Sequence, residues 1–257
     1  MTHGTKRKGR GKWLIIVFWL LIWQAAAWLI RNELVLVGPV STLRALITML
    51  GEGDFRLSVI LSWLRVMAGF LGGALAGCLL AALAFRLPRL GDLIAPLISV
   101  IKTVPVVSFV ILALIWFGGS GLSSLISFLV VLPLLYFNTL EGLRAADPAM
   151  LEMAAVFRMP FLWRLRVVYS PTLLPFIRGA LRTAVGMAFK SGAAAEVIGQ
   201  PALSIGNGLY RAKIFLETDR VMAWSVVIIL LSMLTEKALG AFLDKTGPAG
   251  GESGVDV

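Results

Sequence analysis

Five stretches of this 257-residue chain are long, apolar and nearly free of charge: Trp13 to Ile30, Ser58 to Phe85, Leu93 to Phe117, Leu122 to Leu140 and Val221 to Phe242. Crossing the hydrocarbon core of a bilayer takes about 20 predominantly apolar residues in a helix, so each is a candidate span. A sixth candidate, Phe176 to Ile198, carries Arg178, Arg182, Lys190 and Glu196. Composition points the same way. The chain is 58% apolar and 15% charged, against about 45–50% and 25% for a soluble domain. The expected fold is all-α, a polytopic membrane protein of about six transmembrane helices.

The chain opens with a basic tail, residues 1–12, containing Lys6, Arg7, Lys8, Arg10 and Lys12. The apolar run after it is longer than the roughly 7–15 residues of a signal-peptide core, and bulky Trp28, Leu29 and Ile30 follow the small Ala25 to Ala27. A retained first span is expected. Between Arg31 and Leu57 no run is long enough to cross, and Thr42 to Leu50 suits a short surface helix with Leu43, Leu46, Ile47 and Leu50 on one face. The second span carries Gly69, Gly72, Gly73 and Gly77, small residues that let helix backbones approach within the chain or across a dimer seam. Arg86 to Asp92 reads as a turn. A third helix runs from Leu93 to Phe117 with Lys102 and Pro105, Gly118 to Gly121 makes an outer turn, and a fourth helix carries Pro133. Gly199 to Arg220 reads as a Gly-rich outer loop. A transmembrane domain is expected over 13–243, and residues 244–257 as a flexible tail whose Gly, Pro and acidic residues build no core.

One long stretch cannot dissolve in lipid. Asp147 to Pro175 interleaves Glu152, Arg158, Arg164 and Arg166 with apolar residues. Asp147 is a helix cap and Pro148 a first helical residue, so a short helix is expected to about Met159, broken at Pro160 and followed by a second short helix. This helix-kink-helix resembles the EAA loop of ABC-importer permeases. Glu152, Met153 and Ala154 stand where Glu-Ala-Ala would, Arg158 where the family usually has Gly, and Pro171 at the expected distance. Ser62-Trp63-Leu64-Arg65-Val66, Gly69-Phe70, Asn138-Thr139, Gly142, Leu181-Arg182 and Ala194 to Gly199 are similar to the nitrate, sulfonate and taurine branch, and the resemblance spans Val37 to Phe242. It implies a permease subunit that moves a small anionic solute. The implied partners are cytoplasmic ATPase subunits, an extracytoplasmic substrate-binding protein, membrane lipid and a second copy in a homodimer. Glu152, Ala154, Phe157 and Arg158 would couple to the ATPase from a loop over about 141–175.

Basic residues decide the orientation. The N-terminal tail, the Arg86–Arg89 turn and the central loop hold more of them than the other side, which by the positive-inside rule puts both termini and Glu152 in the cytoplasm of a cell-membrane protein. The net charge of +10 is explained by these loops and by anionic lipid, so nucleic acid is not an expected partner. No phosphate-binding G-x-x-x-x-G-K-[ST] loop is present, the one histidine is His3, and the one cysteine is Cys78. Neither ATP hydrolysis on this chain, nor a metal site, nor a cofactor is expected. Lys102, about 14 Å along its helix, and Lys190, about 21 Å along its own, would lie at membrane depth together with Glu196. A lysine at the centre of lipid costs about 2.5–3.5 kcal/mol on the gentler scales, so all three are pathway candidates, the alternative being a structural role in which Glu196 pairs with a lysine, Lys102 rather than Lys190 six residues away, or with the other protomer. A stand-alone transporter or channel is the alternative reading. Copurification of a stoichiometric ATPase discriminates the two.

Overall fold

The computed structural model describes residues 7–246, and among these it is helical with no strand. The elements are α1 (Arg7–Ile30), α2 (Pro39–Leu50), α3 (Gly53–Arg86), α4 (Pro88–Thr103), α5 (Val106–Phe117), α6 (Leu122–Arg144), α7 (Pro148–Val156), α8 (Phe161–Arg164), a π-helical turn (Leu165–Tyr169), α9 (Ser170–Gly199), α10 (Ile205–Ile214) and α11 (Thr218–Thr246). Among the described residues three helices, α3, α6 and α11, are long and apolar enough to cross a membrane, and the α4–α5 pair passes the same test together. Residues 1–6, with His3, and 247–257 lie outside the described residues. Helix α11 continues through Asp244 to Thr246, past the expected end of the last span.

The centre of the fold is the α3–α6–α9 packing. A methyl group on Gly73 would sit 2.7 Å from the Phe128 carbonyl oxygen, and one on Gly77 2.6 Å from that of Leu132, while Gly69 presses on Ser124 in the same way. Three glycines four residues apart thus meet three carbonyls four residues apart, so the glycine stripe packs within the chain. Gly72, off this line, meets only the Phe128 ring at 3.4 Å. Val66, Phe70, Val131, Leu135, Ala184, Val185 and Phe189 fill the core between the three helices.

The register also fixes direction. Positions 69, 73 and 77 meet 124, 128 and 132 in rising order, so α3 and α6 run parallel. The α4–α5 pair must therefore carry the chain from the far end of α3 back to the start of α6. It is one broken span and not a hairpin returning to the same face. The expected continuous helix from Leu93 to Phe117 is corrected here: it starts at Pro88, breaks at Val104 and Pro105, and bends by 99°. Pro105 lacks an N–H and pushes Val104 into extended backbone, with ψ at 134°. The expected turn from Arg86 to Asp92 shrinks to Leu87.

Two further differences from expectation lie at the end of the bundle that carries α2 and α10. The Gly-rich stretch from Gly199 to Arg220 contains α10, started by Ser204, whose hydroxyl accepts from the Asn207 N–H at 2.9 Å. Its glycines signal contact and not a loop: a side chain at Gly208 would strike the Trp224 ring at 2.5 Å. Helix α2 is longer than expected, and it is Thr42, Ala45 and Met49 that are buried, while Leu43, Ile47 and Leu50 stay exposed. Met49 joins Phe55, Ile205, Ala223, Trp224 and Val227 in one buried cluster.

Candidate coupling and translocation sites

The carboxylate of Asp147 accepts from the Ala149 N–H at 2.9 Å, Pro148 takes the first helical position, and α7 follows for nine residues. It ends earlier than the expected Met159. The Met159 N–H bonds back to the Ala154 carbonyl at 2.9 Å and the Arg158 N–H to that of Ala155 at 3.0 Å, the paired bonds of a Schellman motif. Arg158 holds the left-handed position with φ 48°. That conformation is the one glycine adopts freely, so an arginine keeps the turn at a cost in backbone strain. The break at Pro160 is thus preceded by a turn that Arg158 makes. The second short helix is not separate, because α8, the π turn and α9 join end to end from Phe161 to Gly199, with Pro171 and Pro175 inside α9.

Ala154 is fully buried against Ala146 and Val168. It anchors α7 to its own loop, and its methyl group does not reach the surface. Glu152 and Arg158 are exposed. Around them Val156 is 78% exposed and Phe157 71%, with Phe161, Leu162 and Trp163 beside them. Arg86 from the end of α3 lies 5.9 Å from the Phe161 ring centre, and Phe85 meets Tyr169 edge-on. The loop is thereby tied to the α3 end of the bundle.

The three charges expected at membrane depth divide. Glu196 is 1% exposed. One carboxylate oxygen accepts from the Ser62 hydroxyl at 2.6 Å and the Gly206 N–H at 3.3 Å, and the other faces the Arg65 guanidinium at 3.6 Å. Ser62 in turn accepts from the Ile205 N–H at 2.9 Å, and Arg65 donates to the carbonyls of Ala202 and Leu203. Glu196 therefore fastens α3, α9 and the start of α10, and its partner is Arg65, not either lysine. Sequence reasoning missed that pair. The signal was available: Arg65 is the one charge in the second span and Glu196 the one carboxylate in the fifth.

Lys102 is exposed at the last turn of α4, beside the break, with its ammonium 5.1 Å from the Phe137 ring centre. It lines a cavity of about 180 Å³ with Pro133, Asn138 and Met187. Lys190 is exposed on α9 and lines a separate groove of about 480 Å³ between α9, α10 and α11. The structure does not bring the two lysines into one cavity.

Helices of this length around a closely packed core, with a polar loop carrying an uncovered apolar patch, define a membrane-embedded subunit built to meet other proteins. Residues 73–244 match the family of binding-protein-dependent transport system inner membrane components, and the chain belongs to that family. It is the membrane component of an ABC transporter, a multi-pass protein of the cell membrane, and ATP hydrolysis lies on a separate subunit. Among its relatives is a Bacillus subtilis protein bearing the name aliphatic sulfonates transport permease protein SsuC, 28% identical over 91% of this chain and 85% of that one. The taurine transport system permease protein TauC of Escherichia coli is 26% identical over 90% of this chain and 86% of its own length. A crystal structure of an amino acid ABC transporter with histidines superposes with a TM-score of 0.51 at 20% identity, covering 73% of this chain and 88% of that chain, a likeness of fold.

Proposed function

We propose that two copies of this chain form the translocation path of an importer that carries a small organic anion of the sulfonate kind into the cytoplasm. In this reading α1, α3, the broken α4–α5 pair, α6, α9 and α11 are the six crossings, both termini and α7 face the cytoplasm, and lipid surrounds the exposed leucines of α3. Helix α7 seats in the ATPase subunit, the α10 end faces the substrate-binding protein, and Lys102 and Lys190 make the path electropositive.

The observation that carries the reading is the patch of Val156, Phe157, Phe161, Leu162 and Trp163 around exposed Glu152. Large apolar side chains on a span face lipid, but this loop is interleaved with Glu152, Arg158, Arg164 and Arg166 and lies outside the hydrocarbon. A contiguous exposed apolar patch in such a place marks a protein contact. The experiment is ATP-driven uptake in vesicles holding the permease, its ATPase and its binding protein. Glu152→Lys is expected to leave the permease inserted while abolishing stimulation of ATP hydrolysis by the binding protein, and Lys102→Met, read in the same assay, to lower uptake in an assembled complex. Wild-type stimulation in the first variant would remove α7 from the coupling role, and normal uptake in the second would remove Lys102 from the path.

A further inference from the structure

The groove beside Lys190 has an unusual chemistry for a surface at membrane depth. Its volume is about 480 Å³, within the range of sites for small organic molecules. Its walls include Phe189, Val197, Leu209, Ile228, Ile229 and Met233, and among its lining residues Lys190 alone is charged. The Ser225 hydroxyl on the α11 side is already committed to the Val221 carbonyl at 2.9 Å. Among the described residues no carboxylate pairs with Lys190, since Glu196 is held by Arg65 and the remaining ion pairs lie elsewhere. Nine residues separate Lys190 from the end of α9, so its Cα lies about 14 Å along the helix from its outer end. A cation at that depth takes an anion or water as its partner.

The groove also leads somewhere. Toward the inner end the same face of α9 continues as Gly186, Thr183 and Gly179, all exposed. A methyl group added at Gly186 or Gly179 would meet open space. This differs from Gly192, on another face of α9, which is pressed against Ser127 and Val66. The open face therefore offers room along the helix and not close packing.

We propose that the α9–α11 groove is a solute subsite within the membrane subunit itself, taking an organic anion with a short apolar tail. The anionic head pairs with Lys190 and the tail lies against Ile228, Ile229 and Met233. The inference rests on the importer reading and deepens it: the membrane subunit discriminates by tail length, a selection made after the external binding protein has released its cargo. A membrane lipid with an anionic headgroup shares this chemistry, and the experiment separates the two sources.

The permease, assembled with its ATPase subunits in phosphatidylcholine nanodiscs and without the binding protein, is titrated calorimetrically with linear alkanesulfonates of two to six carbons. Affinity is expected to tighten about threefold to fourfold per added methylene, the ratio expected for burying each CH₂. Lys190→Met is expected to weaken every sulfonate at least tenfold while leaving the alkanol of equal length unchanged. Gly186→Leu, tolerated because its side chain enters open space, is expected to flatten the dependence on tail length. Wild-type affinity in Lys190→Met, or a flat series in the wild type, overturns the subsite. So does phosphatidylglycerol, if it copurifies with wild type but not with Lys190→Met and lowers sulfonate affinity as its share of the nanodisc rises, because the groove then belongs to lipid. Uptake driven by ATP and the binding protein, measured in parallel, keeps the two failures apart. Intact uptake with a flat series defeats the subsite alone, and the absence of any ATP-driven uptake defeats the importer reading.

Discussion

The seam between α3 and α6 and the loop carrying α7 treat side-chain bulk in opposite ways. Along the seam, glycines at 69, 73 and 77 remove it, so that carbonyls of the neighbouring helix lie where a methyl group would be. In the loop, Phe157, Leu162 and Trp163 hold it out, each more than 60% exposed. Within lipid there is little hydrophobic drive for two helices to associate, and close backbone approach supplies the attraction through dispersion. Outside lipid, exposed bulk is a store of association energy of about 25 cal/mol per Å² once it is covered. The chain removes bulk where it meets itself and presents bulk where it meets something else.

That contrast can be broken by substitutions that should be costly only on the closed side. Glu196→Ala is expected to have the largest effect on stability. It strands the Ser62 hydroxyl and the Gly206 N–H and leaves Arg65 without its counter-ion, and removing one member of a buried pair costs about 3–5 kcal/mol, here about 3 because Arg65 keeps two backbone carbonyls and partial contact with solvent. Thermal melting of the detergent-solubilised protein reads the loss. The Arg65→Leu, Glu196→Leu double variant should recover part of it, and a double variant as unstable as the two single changes added together would show that the ion pair is not the fastener.

Next in size is a pair of neighbouring glycines. Gly73→Ala places a methyl group 2.7 Å from a backbone carbonyl that cannot swing away, and overpacking of this kind costs about 1–3 kcal/mol. Gly72→Ala meets only the Phe128 ring at 3.4 Å and should be neutral, or stabilising by about 0.5 kcal/mol through the unfolded chain. Equal melting temperatures for the two variants would deny that the seam is closed on one line of α3. The smallest effect is expected in the loop, where Arg158→Gly relieves the φ of 48° and should gain about 0.5–1 kcal/mol locally. Hydrogen exchange at Met159, whose N–H closes the turn, should slow severalfold. Unchanged exchange would mean that the arginine is not strained there.

Much of this was legible in the residues, and what was not has physical reasons. Apolar runs report helices whose surroundings are lipid, so α3, α6 and α11 could be read directly. Pro105 was visible as a defect, but hydropathy is blind to direction, and a 99° bend leaves the same apolar composition as a straight span. Helix α10 was hidden because Gly206 and Gly208 lower helix propensity. They are glycines for the sake of Glu196 and Trp224, which press on them from other parts of the chain. The coupling stretch was legible in outline through its cap and its charges. The burial of Ala154 was not, because an alanine in a short helix carries no sign of which face will be covered. Lys190 and Glu196 looked alike as charges on one helix, and only their neighbours across α3, α10 and α11 separate an open cation from a fastened carboxylate.

The uninterrupted run from Phe161 through the π turn to Gly199 has a mechanical consequence. At about 1.5 Å per residue it is a rod roughly 58 Å long, with the exposed aromatic residues of the loop at one end and the carboxylate knot at the other. A tilt of about five degrees imposed at the loop end displaces the opposite end by roughly 5 Å, about one helical turn. Lys190 rides on the far half of that rod and moves with it. The five-residue π turn beside Arg164, with Pro171 and Pro175 just after it, gathers the departures from α-helical bonding into one part of the rod, and so marks where such a stroke can be absorbed or passed on.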